Sequence, residues 1–243
     1  MSYRTISSKL ASQLDKDLMG PEIGFTLEQL MELAGFSVAQ AVLKEYPLST
    51  NTKSQVLVLA GPGNNGGDGL VCARHLKLFG FEPVVYYPKP NTKAPFFSKL
   101  VDQLKFFKIP ILSVDENWTR YLDPNSTLCV VDALFGFSFK PPVRKPFDTI
   151  LQQLQKIQDR LPIVSVDVPT GWDVDEGPVE PNCIVPKVLV SLTVPKPCAL
   201  KIDTLETQHY VGGRFVPIDF AQKYGFAPFP YENADQVVKL SPK

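Results

Sequence analysis

Several features that mark other protein classes are scarce or missing in this 243-residue sequence. No run of 18 apolar residues occurs, so no transmembrane helix is expected. Only two histidines are present, His75 and His209, and neither lies in a cluster suited to zinc or another transition metal. The four cysteines are far apart and form no C-x-x-C pair, which favours reduced thiols in a cytosol-like compartment over a disulfide scaffold.

The sequence also lacks an excess of either charge. It has 25 basic and 25 acidic side chains, so neither nucleic acid nor an anionic membrane is expected as the main partner. Residues Met1–Leu18 are basic and serine-rich like a mitochondrial leader, but Asp15 and Asp17 interrupt them, which favours an ordinary amphipathic helix. We therefore expect a cytoplasmic protein and leave a mitochondrial location open.

Short apolar segments alternate with helical ones along the chain. This alternation predicts βαβ units, an α/β fold with a mostly parallel sheet, and helices on both faces of the sheet. We expect a single domain over residues 1–243, with an extended tail from Phe226 and an edge strand within Tyr210–Ile218. The other predicted strands are Gln55–Ala60, Pro83–Tyr87, Ile111–Val114, Thr127–Ala133, Pro162–Val168 and Lys187–Val194. The predicted helices are Ser7–Met19, a segment that follows Thr26, Leu70–Phe79, Pro95–Lys108 and Phe147–Arg160.

The second helix carries an unusually apolar face. Thr26 and Gln29 have the spacing of a capping box and mark its start. The apolar stripe that follows, from Leu27 to Val42, either covers the sheet or forms a dimer interface, because exposed apolar patches of that length are rare on monomers.

The stretch Gly61–Gly69, GPGNNGGDG, lies between the first strand and a helical pattern. A glycine turn before a helix N-terminus presents free amide groups and the positive end of the helix dipole, so it favours phosphate or nucleotide binding over a simple tight turn. Part of it matches G-x-G-x-x-G, but the second strand ends at Tyr87 without the acid that holds a dinucleotide ribose. This disfavours a dehydrogenase. A P-loop is disfavoured because no Lys-Ser/Thr follows the glycines.

Two aspartates end otherwise apolar strands, Asp132 and Asp167. Each alone fits a turn or helix N-cap, but a buried carboxylate is costly unless something pairs with it, and two at comparable strand ends favour function. Lys140 in the loop after Asp132 fits a phosphate counter-charge and a solvated lysine equally well. Oxygen atoms of Asn65, Asp132 and the backbone near Thr170 suit a hard cation if they converge.

The motifs GPGNNGGDG, VVDALFGFSFK and VSVDVPTGW together resemble the NAD(P)H-hydrate epimerase family, also known as the YjeF amino-terminal domain. The resemblance runs from Ile6 to about Phe220. It implies a Rossmann-like three-layer α/β/α sandwich, usually homodimeric, which interconverts the R and S forms of hydrated NADH and NADPH for nicotinamide nucleotide repair. It also implies functional coupling to a partner dehydratase that accepts only the S form.

The resemblance implies roles for individual residues. A potassium ion would be held by Asn65, Asp132 and Thr170, of which Thr170 stands where the family more usually has serine. The Pro141-Pro142 pair also departs from the family, which has a small residue there. The implied substrate contacts are Asn64, Asn65, Gly66, Gly67, Asp68, Gly136, Phe137, Ser138, Phe139, Lys140, Pro141, Pro142 and Asp167.

We predict that Asp167 is the catalytic acid–base residue. The carbon to be inverted carries a hydroxyl and the ring nitrogen, so it loses its configuration by water loss or by ring opening, and either route needs a proton delivered and withdrawn. The alternative function is a non-catalytic dimeric protein-interaction module of the same fold. Such a module has no reason to keep two strand-end carboxylates beside an intact glycine loop.

Overall fold

The structure is a computed structural model that describes residues 3–48, 53–179, 183–203 and 206–240. The first two residues of the predicted leader or helix and the last three of the predicted tail lie outside these ranges. Within these ranges, eight strands form one sheet in the order β3-β2-β1-β4-β5-β6-β7-β8, parallel except for β8. The strands are β1 Gln55–Ala60, β2 Glu82–Tyr86, β3 Ile111–Leu112, β4 Thr127–Ala133, β5 Ile163–Val166, β6 Val188–Leu192, β7 Gln208–Gly212 and β8 Val237–Leu240.

Helices cover both faces of the sheet, as predicted. They are α1 Ser8–Leu18, α2 Leu27–Glu45, α3 Asn64–Leu78, α4 Pro95–Phe106, α5 Phe147–Ile157 and α6 Ile218–Lys223, with 3₁₀ helices at Trp118–Leu122 and Pro197–Lys201. Side chains of β1 alternate between two cores: Val56 and Val58 pack with α2, α3 and α4, while Leu57 packs with α5. Because both faces are buried, the strands read as continuous apolar runs. The three-layer α/β/α prediction is confirmed.

The glycine stretch differs from its predicted form. Helix α3 begins at Asn64 rather than Leu70, so residues 64–69 are helical. The glycines allow this helix to approach the strands closely. A Cβ on Gly66 would lie 1.8 Å from the Gly61 carbonyl oxygen, and one on Gly69 would lie 2.6 Å from the Ala133 Cβ. These glycines therefore serve helix packing, while the helix N-terminus itself remains at the predicted end of β1.

The apolar stripe of α2 is buried within the chain. The predicted capping box is present, with Thr26 and Gln29 bonded in both directions. Met31, Ala34 and Val38 pack in the same core as α3 and the central strands. The stripe therefore gives no reason to expect a dimer, because its apolar surface already has a partner in the fold.

One edge of the sheet is formed by β8 and not, as the sequence predicts, by β7. Strand β7 was expected at the edge, but β8, from the tail that was expected to be simply extended, pairs antiparallel beside it. The sequence signal for β8 is weak because the strand has only four residues. Within the described ranges, no helix has the length and apolarity needed to cross a membrane.

Candidate active site

A cavity of about 320 Å³ lies beyond the carboxyl ends of the central strands. It is adjacent to the point where the strand order reverses, between β1 and β4, which is where open α/β sheets bind ligands. Its walls come from α1, α2, the start of α3, the segment 134–139 after β4, and the segment 192–196 after β6. The volume is in the range of small-molecule sites.

Helix α3 points its N-terminus into this cavity. Its N-cap is Gly63, which supplies no side-chain hydrogen bond, and Asn64 and Asn65 line the cavity. The first amides of a helix have no intrahelical acceptor, so they and the positive end of the dipole favour a negatively charged ligand. The predicted anion site therefore has the expected elements, although in the form of a helix end instead of a loop.

Asp167 occupies a strained turn that directs its carboxyl into the cavity. The amide of Val168 donates to the carbonyl of Val166 at 2.8 Å, so Asp167 is the central residue of a three-residue turn, with φ of 65°. Such a backbone is unfavourable for most side chains, though less so for aspartate. Strain of this kind tends to be retained where it positions a functional group.

Three donors hold the Asp167 carboxylate in place, the weakest being the Leu192 amide, which donates to Oδ1 at 3.5 Å. The carboxylate Oδ2 accepts from the backbone amide of Phe137 at 2.9 Å, and Oδ1 also accepts from Nζ of Lys196 at 2.5 Å. Both side chains of this ion pair are almost fully buried. The Lys196 ammonium also donates to the Leu192 carbonyl at 2.9 Å. The pair keeps a carboxylate oriented at the cavity wall, where it can accept a proton.

Lys196 was not predicted from the sequence. It follows β6 after a turn at Thr193 that matches the one at Asp167, with φ of 67° and a bond from the Val194 amide to the Leu192 carbonyl. The available signal was a lysine between prolines directly after a buried strand. Its pairing with Asp167 depends on β5 and β6 being neighbours, which the local sequence does not reveal.

Two more carboxyls line the cavity, Asp68 from α3 and Asp15 from α1. Burial raises the pKa of Asp68 well above its usual range, and the nearby carboxylates of Asp167 and Asp15 raise it further. Burial also raises the pKa of Asp15 to about 6; Lys196 opposes this shift and Asp167 adds to it. Asp68 was predicted as a substrate contact, but Asp15 was missed because in sequence it is an ordinary polar residue of an amphipathic helix.

Asp132 lies behind the cavity wall and is fully buried. Its Oδ1 accepts from the Thr170 hydroxyl at 2.6 Å, and its Oδ2 accepts from the Thr170 amide at 2.9 Å and the Ser165 hydroxyl at 3.0 Å. Burial raises the pKa of the Asp132 carboxyl, and these hydrogen bonds oppose that shift. Among the described residues it has no salt-bridge partner, so its charge is not compensated by a basic side chain.

The structure brings together only part of the predicted cation site. Asp132 and Thr170 are in direct contact, whereas Asn65 faces Gly136 and the cavity. A Cβ on Gly136 would lie 3.2 Å from Asn65 Oδ1 and 3.1 Å from Asp167 Oδ2, so both polar groups converge on that glycine. The buried Nδ2 of Asn65 has no hydrogen-bond partner in the described part of the chain. This donor is available to a ligand in the cavity.

The other predicted substrate contacts divide into two groups. Gly136, Phe137, Ser138 and Phe139 line the cavity. The cavity walls do not include Lys140, Pro141, Pro142, Gly66 or Gly67. Lys140 is exposed in the loop, while Gly66 and Gly67 are buried where α3 packs against Gly61 and Met31. These five residues can contact only a part of a ligand that extends beyond the cavity, or they affect the site through the packing of the backbone.

The chain is similar to known proteins over nearly its whole length. Residues 27–198 match the family described as YjeF-related protein N-terminus. The chain is 64% identical to the NAD(P)H-hydrate epimerase of Saccharomyces cerevisiae, over 98% of this chain and 99% of that protein. It is 48% identical to the NAD(P)H-hydrate epimerase of Yarrowia lipolytica, over 98% of this chain and 94% of that protein. The crystal structure of yeast ynu0, YNL200c, is 63% identical and superposes with a TM-score of 0.96, over 98% of this chain and 100% of that one.

Proposed function

The chain belongs to the YjeF-related protein N-terminus family, and from this we propose that it is an isomerase that interconverts the R and S forms of hydrated NADH and NADPH. Relatives up to 64% identical over essentially their whole length are NAD(P)H-hydrate epimerases. The observation that carries the proposal is Asp167, a buried carboxylate fixed by Lys196 and the Phe137 amide in a ligand-sized cavity.

The cavity provides what an epimerisation without redox change requires. The segment 134–139 and the apolar wall of α2 line the cavity, so they would surround the ring of a bound substrate and limit its contact with bulk water. The Asp167 carboxylate accepts or returns a proton at the hydroxyl of the hydrated ring, and it also stabilises positive charge that develops on the ring. The N-terminus of α3 and the Nδ2 of Asn65, which has no partner among the described residues, suit the phosphates or ribose of the same molecule.

We propose a potassium ion as cofactor, held through Asp132 and Thr170 with Asn65 as the predicted third ligand. The donors are oxygen atoms, which suit a hard cation, and the fully buried Asp132 carboxylate has no basic partner among the described residues. A bound cation would compensate this charge and strengthen the positive potential near the substrate phosphates.

Functional coupling follows from the proposed reaction. An enzyme that only exchanges R and S forms restores no cofactor, so an S-specific dehydratase is the partner that would use its product. The homodimer and the cytoplasmic location, with a mitochondrial one left open, stay predictions that rest on the family resemblance and the cysteine pattern.

The test is a coupled assay. Purified protein is added to R-form hydrate together with an S-specific dehydratase, and recovery of NADH or NADPH is followed by absorbance. We expect recovery well above that with the dehydratase alone, which reports spontaneous epimerisation. Equal rates with and without the protein would contradict the proposed function, and a normal rate after Asp167→Asn would contradict the role of Asp167.

A further inference from the structure

The carboxyl of Asp15 has no part in the function proposed above, although it lines the same cavity as Asp167. It comes from α1, whereas Asp167 comes from the end of β5. In the described part of the chain no hydrogen bond joins the two carboxyls, but they are close enough to interact electrostatically, since the charge of Asp167 raises the pKa of Asp15. Leu14 and Leu18 of the same helix are fully buried and hold α1 against the rest of the chain, which keeps Asp15 in place.

Within the described ranges, the Asp15 carboxyl has no hydrogen-bond donor and no salt bridge. The charged groups that face it are Asp68 from α3, Asp167 after β5, and Lys196 after β6. Lys196 is already paired with Asp167. A carboxyl in this position exchanges its proton near neutral pH, because burial raises its pKa to about 6. It is therefore available as an acid or as a base under working conditions.

Inversion of a carbon that carries a hydroxyl makes a demand that one carboxylate meets poorly. If the hydroxyl leaves as water from one face of a planar ring, water must return to the other face. A group on each face can deliver the proton and receive it without the ring or the side chain turning over. The cavity supplies a second carboxyl of suitable chemistry at a separate position.

We propose that Asp15 is a second catalytic acid–base residue, acting on the face of the ring opposite Asp167. This inference rests on the proposed epimerase function. In one direction, the carbon–oxygen bond breaks with its electron pair on oxygen, which takes the Asp15 proton and leaves as water, while the ring nitrogen lone pair forms a C=N bond. Water then adds to the other face, the C=N electron pair returns to nitrogen, and the water proton passes to the Asp167 carboxylate. The reverse reaction exchanges the two roles.

The test compares wild type with Asp15→Asn in the coupled assay and in water enriched in ¹⁸O. We expect kcat to fall about 10²–10⁴-fold, as for loss of a general acid or base, with KM changed only a few-fold. Incorporation of ¹⁸O into the product should fall in parallel, because the hydroxyl is exchanged at each inversion. In wild type, the kcat profile should show a titration near pH 6 that is absent from the variant.

The matched control is Asp17→Asn on the same helix, which removes a carboxyl bonded to Lys223 and Tyr224 of the neighbouring segment instead of facing the cavity. It should keep wild-type kcat, and Asp15→Glu should restore part of the activity. A kcat for Asp15→Asn within about threefold of wild type, far from the expected loss, would overturn the role of Asp15. The pH profile of wild-type kcat is a second test that does not depend on a variant. The absence of a titration near pH 6 in that profile would also overturn the role of Asp15. If wild type itself does not epimerise the hydrate, the proposed function fails instead.

Discussion

Asp132 and Asp167 look alike in the sequence, but the structure gives them different surroundings. Both follow apolar residues at the end of a buried parallel strand. Asp132 is completely enclosed, bonded to Ser165 and Thr170, and has no basic partner in the described ranges. Asp167 lines the cavity, adopts a positive φ, and is paired with Lys196. The difference shows that strand-end position predicts burial of a carboxylate, while its neighbours decide whether it meets a ligand.

The largest expected effect concerns the rate. Asp167→Asn should lower kcat by about 10²–10⁴-fold, because the amide cannot exchange the proton, while KM changes little. Coupled-assay kinetics measure both parameters. Asp102→Asn is the control, since it removes an exposed carboxyl that, among the described residues, pairs with Lys105 alone. If Asp167→Asn retains near-normal turnover while Asp132→Asn abolishes it without losing the ion, the roles of the two strand-end carboxylates are reversed.

The second prediction concerns the stability that the Lys196 pair provides. Lys196→Met should lower the free energy of unfolding by about 3–5 kcal/mol, because it leaves the Asp167 carboxylate buried without its partner. The double variant with Asp167→Asn should recover part of this loss. Urea denaturation of the four proteins gives the coupling energy.

A surface pair provides the control for this cycle. Lys187 Nζ and Glu206 Oε2 are 2.7 Å apart, with 42% and 60% of the two side chains exposed, so Lys187→Met should change stability by about 0–1 kcal/mol. Strictly additive effects of the Lys196 and Asp167 substitutions would mean that the two side chains do not stabilise each other.

The third prediction separates Asp132 from Asp167 by ion binding. If Asp132 and Thr170 hold potassium, potassium chloride should raise the melting temperature above that in tetramethylammonium chloride of equal concentration. At a potassium concentration 100 times the dissociation constant, the gain is about 2.7 kcal/mol. Asp132→Asn should abolish this difference, and Asp167→Asn should retain it. Equal melting temperatures of wild type in both salts would contradict the proposed potassium site.

The last prediction, of about the same size as the third, concerns pH. The folded state raises the pKa of Asp15 to about 6, above its ordinary value of 3.8, so folding takes up a proton between these values. Stability from this group is therefore complete below about pH 4 and is lost as the pH rises through 6, by on the order of 2–3 kcal/mol. Urea denaturation of wild type and Asp15→Asn from pH 4 to 7 gives the difference. A difference that grows in the opposite direction would show that Asp15 is stabilised as the carboxylate.

Local sequence patterns were sufficient for most of the scaffold. The apolar strand Thr127–Ala133 has the predicted boundaries, and Gly80, with φ of 94°, follows α3 as predicted. Such features depend on nearest neighbours along the chain, which the sequence displays directly. The sequence motifs also predict Asn65, Asp68, Gly136 and Asp167 as site residues, and the cavity brings them together.

The features that depended on distant partners were missed or misassigned. Nothing near Lys196 in sequence indicates that its ammonium reaches Asp167, and nothing near Asp15 indicates a cavity wall. The apolar stripe of α2 reads equally well as a dimer face or an interior face, and only its packing against α3 decides between them.

The sequence by itself therefore determined the alternating α/β pattern, the helix N-terminus after the first strand, and the two buried strand-end carboxylates. Tertiary structure alone decided which carboxylate faces the cavity and which lysine pairs with it. It also decided that helix α1 places Asp15 in the cavity wall. The physical reason is range. Backbone propensities and apolar periodicity act over a few residues, whereas the charge and solvation of a side chain depend on groups far away in sequence, as Lys196 is 29 positions from Asp167.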